Sequence, residues 1–151
     1  MLSIVLIVTI VITILLTGVY GLRAWAVFPV FSGASEQDQP GLLARYLRKD
    51  TLLTFPLGLF EGMASFMLVI TSAFSSSTGK VDSKFFMLQG VAFFVLFFLR
   101  VLYWVAARPA IRAVSLEPSP NGWQNVLLWF KVISIGQLLR LGLVVVSVLA
   151  K

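Results

Sequence analysis

The chain contains no cysteine and no histidine. Without thiols there are no disulfides, no thiol nucleophile and no thiolate metal site. Without imidazole there is no axial histidine for haem, no imidazole metal site and no imidazole acid–base catalyst. No haem or metal cofactor is therefore expected. Charge is scarce as well: 12% of the 151 residues are charged and only 6 are acidic, against about 25% charged in soluble domains. Chemistry, if there is any, falls to Arg, Lys, Asp, Glu, Tyr, Ser and Thr.

What fills the chain is apolar. Hydrophobic residues make up 59% of it, and the mean hydropathy is +0.98. A soluble fold of this length has too little interior to hide so much apolar surface, so lipid is the expected solvent. The expected fold is all-α, a single four-transmembrane-helix domain, residues 1–151. Its spans fall at about 2–22, 51–74, 85–107 and 123–150, each near the ~20 residues that cross a bilayer. The first span follows no positive cluster and precedes no small-x-small cleavage site, so it reads as a retained helix rather than a signal peptide. Arg23 and Trp25 suit its interfacial end. SGASEQDQPG and RPAIRAVSLEPSPNG have loop composition. Pro56 sits early in the second span, either in its first turns or as a kink.

The net charge of +6 fits membrane edges better than nucleic acid, and no nucleic-acid partner is expected. Lys80, Lys84 and Lys151 fall on one side of a four-span layout. Arg23, Arg45, Arg48, Lys49, Arg108 and Arg112 fall on the other. The positive-inside rule then puts both termini on the non-cytoplasmic side. The layout suits an organelle membrane and the plasma membrane alike.

Some polar residues lie inside the spans, where they are costly and usually face a bundle interior. Glu61 is about 16 Å down the second helix from Asp50, and Arg100 about 12 Å down the third from Arg108, at 1.5 Å per residue. The matched depth predicts a Glu61–Arg100 ion pair. Its plainer reading is a bridge that fixes helix register; its functional reading is a polar pocket for a ligand carboxylate. Arg140 lies deep in SIGQLLRLGLVVV and needs Gln137, Glu61, a neighbouring subunit or a lipid headgroup. Gln89 and Gln137 are candidates for interhelical hydrogen bonds, and Lys131 is close enough to its interface to snorkel. Gly58 and Gly62 have the GxxxG spacing that permits close helix approach. The run Phe93, Phe94, Phe97, Phe98 reads as a lipid-facing or packing surface.

Two stretches carry a family likeness. RYLRKDTLLTFPLGLFEGMASF resembles the segment R-x-x-R-N-D-x-E, followed by a proline-containing helix, of the MAPEG family (membrane-associated proteins in eicosanoid and glutathione metabolism). RVLYWVAARPAIRAVS resembles that family's R-V-x-H-x-x-x-Y and R-A-P-I-R-S-V-T. Together they cover about a quarter of the chain. The resemblance implies a homotrimer that binds glutathione between subunits. Arg45, Arg48, Asp50, Arg100, Tyr103 and Arg108 would hold the cofactor and Arg112 would activate its thiol. Arginine's planar fork suits such carboxylates. The pattern is eroded: Lys49 stands for the family's asparagine, Leu52 for its glutamate, and Tyr103 for its histidine.

Three functional classes follow. The first is a glutathione-dependent transferase or isomerase acting on lipophilic substrates. The second is a non-catalytic lipid-binding protein or an accessory subunit of a larger membrane complex. The third is a small transporter using Glu61, Arg100 and Arg140 as pathway charges; it needs oligomerisation and lacks a broken-helix pair.

Overall fold

The computed structural model describes the backbone of residues 2–33, 39–117 and 119–149, and the side chains of these except 31 and 39–54. Among the described residues all regular structure is helical. Helix α1 (Leu2–Leu22) passes through a π-helical turn (Arg23–Val27) into the short α2 (Phe28–Ser32). Helix α3 (Gln39–Ser77) is followed by α4 (Ser83–Leu102), which passes through a second π-helical turn (Tyr103–Ala107) into α5 (Arg108–Leu116). Helix α6 (Pro120–Leu149) closes the chain. Four stretches are long and apolar enough to cross a membrane: Leu2–Val30, Phe55–Ser77, Ser83–Leu116 and Pro120–Leu149.

Of the boundaries that differ from the sequence expectation, two bear on the site, and proline chemistry explains one of them. RPAIRAVS was expected in a loop because of Pro109, but it forms α5 and continues the third span. The π turn absorbs the proline. Phe28 and Arg108 each donate their backbone N–H five residues back, to Arg23 and Tyr103 respectively, and each precedes a proline. Proline lacks an N–H and its ring crowds the carbonyl four residues back. One wide turn ahead of it relieves that crowding without ending the helix. The second difference is α3, which begins at Gln39 rather than near 51. Pro56 therefore lies inside the helix and not in its first turns.

The long helices form a closed up-and-down ring. Each of α1, α3, α4 and α6 packs on its two neighbours. Among the described residues the diagonal pairs, α1 with α4 and α3 with α6, have no Cα atoms within 8 Å. The turn between α3 and α4 is made by Gly79, whose φ of +68° is costly for a residue with a Cβ. Asp82 caps α4, its carboxylate accepting from the Lys84 backbone N–H at 2.9 Å. Gly136 lets α6 approach α4 closely, for a Cβ there would collide with the Leu99 side chain.

Two apolar clusters fill the ring at its two ends. One gathers Leu16, Tyr20, Phe28, Ile111, Trp123 and Phe130. The other gathers Leu6, Leu68, Val81, Phe85, Ala92 and Val144. The outer face is apolar too: Ile4, Phe94 and Leu139 are 68%, 73% and 66% exposed. The phenylalanine run thus divides, with Phe94, Phe97 and Phe98 pointing outward and Phe93 meeting Phe66 ring to ring at 6.0 Å.

Candidate functional site

Between the two apolar clusters lies a polar layer. The expected Glu61–Arg100 pair is present, with Arg100 Nη2 donating to Glu61 Oε2 at 2.7 Å. Arg140, whose partner the sequence left open, also finds Glu61: its Nη1 donates to the other carboxylate oxygen, Oε1. One carboxylate thus serves two guanidiniums, one oxygen each. Arg140 Nη1 further donates to Thr13 Oγ1 at 2.9 Å and its Nη2 to Ser65 Oγ at 2.6 Å. Ser65 in turn donates to the Glu61 carbonyl at 2.7 Å. Arg100 Nη1 donates to the Tyr20 hydroxyl at 3.0 Å, and its Nη2 to the Gly58 carbonyl at 3.4 Å.

The layer ties all four spans, diagonals included. Arg140 to Glu61 joins α6 to α3, and Arg100 to Tyr20 joins α4 to α1, across distances the backbones do not close. Glu61 and Arg140 are fully buried. An arginine left alone at the centre of a membrane helix costs about 2.5–3.5 kcal/mol on insertion scales, so shared neutralisation by Glu61 is what makes the positions tolerable. Two buried atoms have no partner among the described residues, Gln137 Oε1 and Arg140 Nε. Gln89 does find one, donating to Ser147 Oγ.

Gly58 has a role other than the one its spacing implies. A Cβ there would lie 2.7 Å from Arg100 Nη2. The glycine makes room for the guanidinium inside the bundle. Gly62 meets nothing within 4 Å.

Beside this layer, α3 and α4 enclose a groove of about 590 Å³, within the ~300–1,000 Å³ usual for small-molecule sites. Leu59, Gly62, Met63 and Phe66 line it from α3, and Phe93 and Phe97 from α4. Leu59, Met63 and Phe97 are also exposed, so the groove opens on the outer apolar face. Its polar end is built by Arg100, Tyr103 and Arg108, with Tyr20, Arg23 and Trp104 beside them. Both π turns contribute to this end, through Arg23 and through Tyr103 with Trp104. Among the described residues no acidic side chain lines the groove.

Arg100, Tyr103 and Arg108, named from the family likeness, therefore converge on one cavity. Arg112 does not join them: it lies on the exposed side of α5 and lines no part of the groove. It is two helical positions from the buried Ala110 and Val114, on the opposite face of that helix. Arg45, Arg48 and Asp50 fall outside the described side chains. Arg23, expected at the interfacial end of the first span, is buried against the bundle, with its guanidinium 5.3 Å from the Tyr20 ring centre. Lys131 reaches over the Trp25 ring at 4.9 Å, consistent with a side chain stretched toward an interface.

Thr13, Ser65 and Tyr20 were not singled out from sequence. A signal existed: Thr9, Thr13 and Thr17 recur every four residues in an otherwise apolar helix, and Ser65 stands one turn beyond Glu61 on the same face. No protein-family model, curated protein or solved structure matches the chain. The MAPEG likeness rests on the two quoted stretches alone.

Proposed function

We propose that the chain is a multi-pass integral membrane protein that takes a lipid-like guest sideways from the bilayer into the α3–α4 groove and holds it without chemical change. The groove carries this reading. It is apolar along most of its length, polar at one end, and its rim lies on the face that would meet acyl chains. The bundle's strongest polar groups are committed to one another: Glu61 is spent on two arginines, and Arg140 is enclosed. That arrangement suits a rigid holder better than a centre that moves protons.

The test is guest retention. Gly62 lines the groove and a Cβ there would meet nothing within 4 Å, so Gly62→Phe is chosen to project a ring into the cavity. Lipid extracted from purified protein and quantified by mass spectrometry should show a retained species in the wild type. That species should fall at least about tenfold in Gly62→Phe, with the unfolding midpoint unchanged. Equal retention in both proteins would sink the reading.

One observation favours a second reading. Arg100, Tyr103 and Arg108, which the resemblance assigns to glutathione, line the same groove. Under this reading the chain works as a glutathione-dependent transferase, as a homotrimer or as a subunit of a larger membrane complex. Equilibrium dialysis at millimolar glutathione decides it. Saturable binding lost in Arg108→Gln supports the transferase; no binding at that concentration removes it.

A further inference from the structure

Resting on the reading of the groove as a lipid site, we propose that its guest is a singly charged anionic amphiphile, an acyl chain ending in a carboxylate or a phosphate ester. Its head sits between Arg100 and Arg108, and its charge completes the neutralisation of the polar layer.

Two guanidiniums, Arg100 and Arg140, share the single carboxylate of Glu61. Among the described residues the cluster keeps one unbalanced positive charge in a low-dielectric setting, where an uncompensated ion is expensive. Arg140 has no room for another anion: its side chain is 1% exposed, and Thr13, Glu61 and Ser65 occupy its two terminal nitrogens. Arg100 is different. Its side chain is 28% exposed and it lines the groove. A guanidinium has five N–H donors, and among the described residues Arg100 has only Tyr20, the Gly58 carbonyl and Glu61 as acceptors. The excess charge and the spare donors therefore meet at the groove wall.

A second cation waits at the same end. Arg108 lines the groove and has no carboxylate among the described residues; its guanidinium lies 4.1 Å from the centre of the Trp104 ring. Resting on a ring leaves a guanidinium edge free for planar oxygen groups. A cationic or quaternary-ammonium head is disfavoured for two reasons. No acidic side chain of the described residues faces the groove, and the Tyr20 and Trp104 rings already carry Arg23 and Arg108. The apolar remainder, with Met63, Phe66, Phe93 and Phe97, takes the tail. A free fatty acid and an acidic phospholipid share the required oxyanion on an acyl chain.

The test uses the full chain in phosphatidylcholine nanodiscs at pH 8, where a carboxylate is ionised. The probes are palmitate, hexadecanol and hexadecyltrimethylammonium, with phosphatidylglycerol as a separate arm read by native mass spectrometry. Palmitate or phosphatidylglycerol should bind at least about tenfold more tightly than the uncharged alcohol, as loss of a charged hydrogen bond predicts; whichever of the two binds identifies the source of the head. The trimethylammonium probe should not bind. Arg108→Gln should remove most of that preference and leave hexadecanol affinity unchanged, and Arg108→Lys should restore part of it. Arg112→Gln, outside the groove, should change nothing. Arg100→Gln should act like Arg108→Gln; because it also breaks the internal pair, Arg108→Gln is the deciding variant. If palmitate, phosphatidylglycerol and hexadecanol bind alike, the anionic head is overturned and the lipid groove stands. If no probe binds and Gly62→Phe alters no retained lipid, the groove reading falls as well.

Discussion

Glu61 is the residue on which the interior depends. Its replacement by Gln leaves two guanidiniums facing a neutral amide, and removing one partner of a buried pair typically costs about 3–5 kcal/mol. We expect Glu61→Gln to lower the unfolding midpoint in detergent far more than Gln89→Leu does. The latter removes one interhelical hydrogen bond, worth on average ~0.6 kcal/mol in a membrane setting, and Ser147 keeps its bond to the Val144 carbonyl at 2.6 Å. Equal shifts for the two variants would contradict the shared-carboxylate account. The sequence made half of this arrangement legible. Helix rise alone matched Glu61 to Arg100, since both depths could be counted from charged ends. Arg140 could be given only a set of partners, Gln137, Glu61, a neighbouring subunit or a lipid headgroup, because depth along one helix does not choose among groups on the others. Gly58 escaped because a spacing that permits contact between helices also permits a side chain to lie against the backbone.

At the level of elements, turn chemistry decided where the sequence could be followed. The apolar runs were plain, and so were the four long helices. The limits of those helices were not, because Pro109 and loop-like composition outweighed the short pattern Ala110, Ile111, Val114 that marks the buried face of α5. A proline preceded by a π turn bends the rule that proline stops a helix, and nothing in RPAIRAVS announces the wide turn. Gly136→Val would push a branched side chain into Leu99, and overpacking of this kind costs about 1–3 kcal/mol; the unfolding midpoint should drop while Gly142→Val, which meets nothing within 4 Å at its first carbon, shifts it less. Asp82 gives a pH signature. The backbone N–H of Lys84 holds its carboxyl below the ordinary range, with help from Ser83 and Lys84, although desolvation acts the other way. A depressed folded value means the contribution is complete above the ordinary carboxylate range and is lost as pH falls through the folded value. The acid limb of the melting profile should therefore flatten in Asp82→Asn, a residue that caps without titrating; an unchanged limb would show that Asp82 contributes nothing there.

The whole molecule is a ring of four helices with apolar plugs at both ends and a charged belt between them. Its four long apolar helices were legible from composition, and helices that follow one another in sequence pack as neighbours in the ring. The diagonal bridges were not legible, because no pattern along one helix reports what lies across a bundle. We propose an orientation with the Gly79 turn on the non-cytoplasmic side, as the arginine-rich helix ends at the opposite side of the ring favour the cytoplasm. The chain lacks native thiols, so the single substitutions Ser77→Cys and Asn121→Cys can each be read cleanly in oriented vesicles. An impermeant maleimide should label position 77 from the non-cytoplasmic face and position 121 from the other, and the reverse pattern would invert the proposed topology.

The belt also bears on how the chain can be made. Synthesis delivers α3 before α4 and α4 before α6, so the acid emerges first and meets its earlier arginine within a single hairpin. That hairpin can leave the translocation machinery already neutral. The last helix arrives carrying a lone cation, and finds Thr13, Ser65 and the second carboxylate oxygen waiting in place. A chain cut before α6 would therefore insert as a three-helix intermediate with its charges matched, whereas deleting α3 would strand two cations in the bilayer and should send the product to degradation.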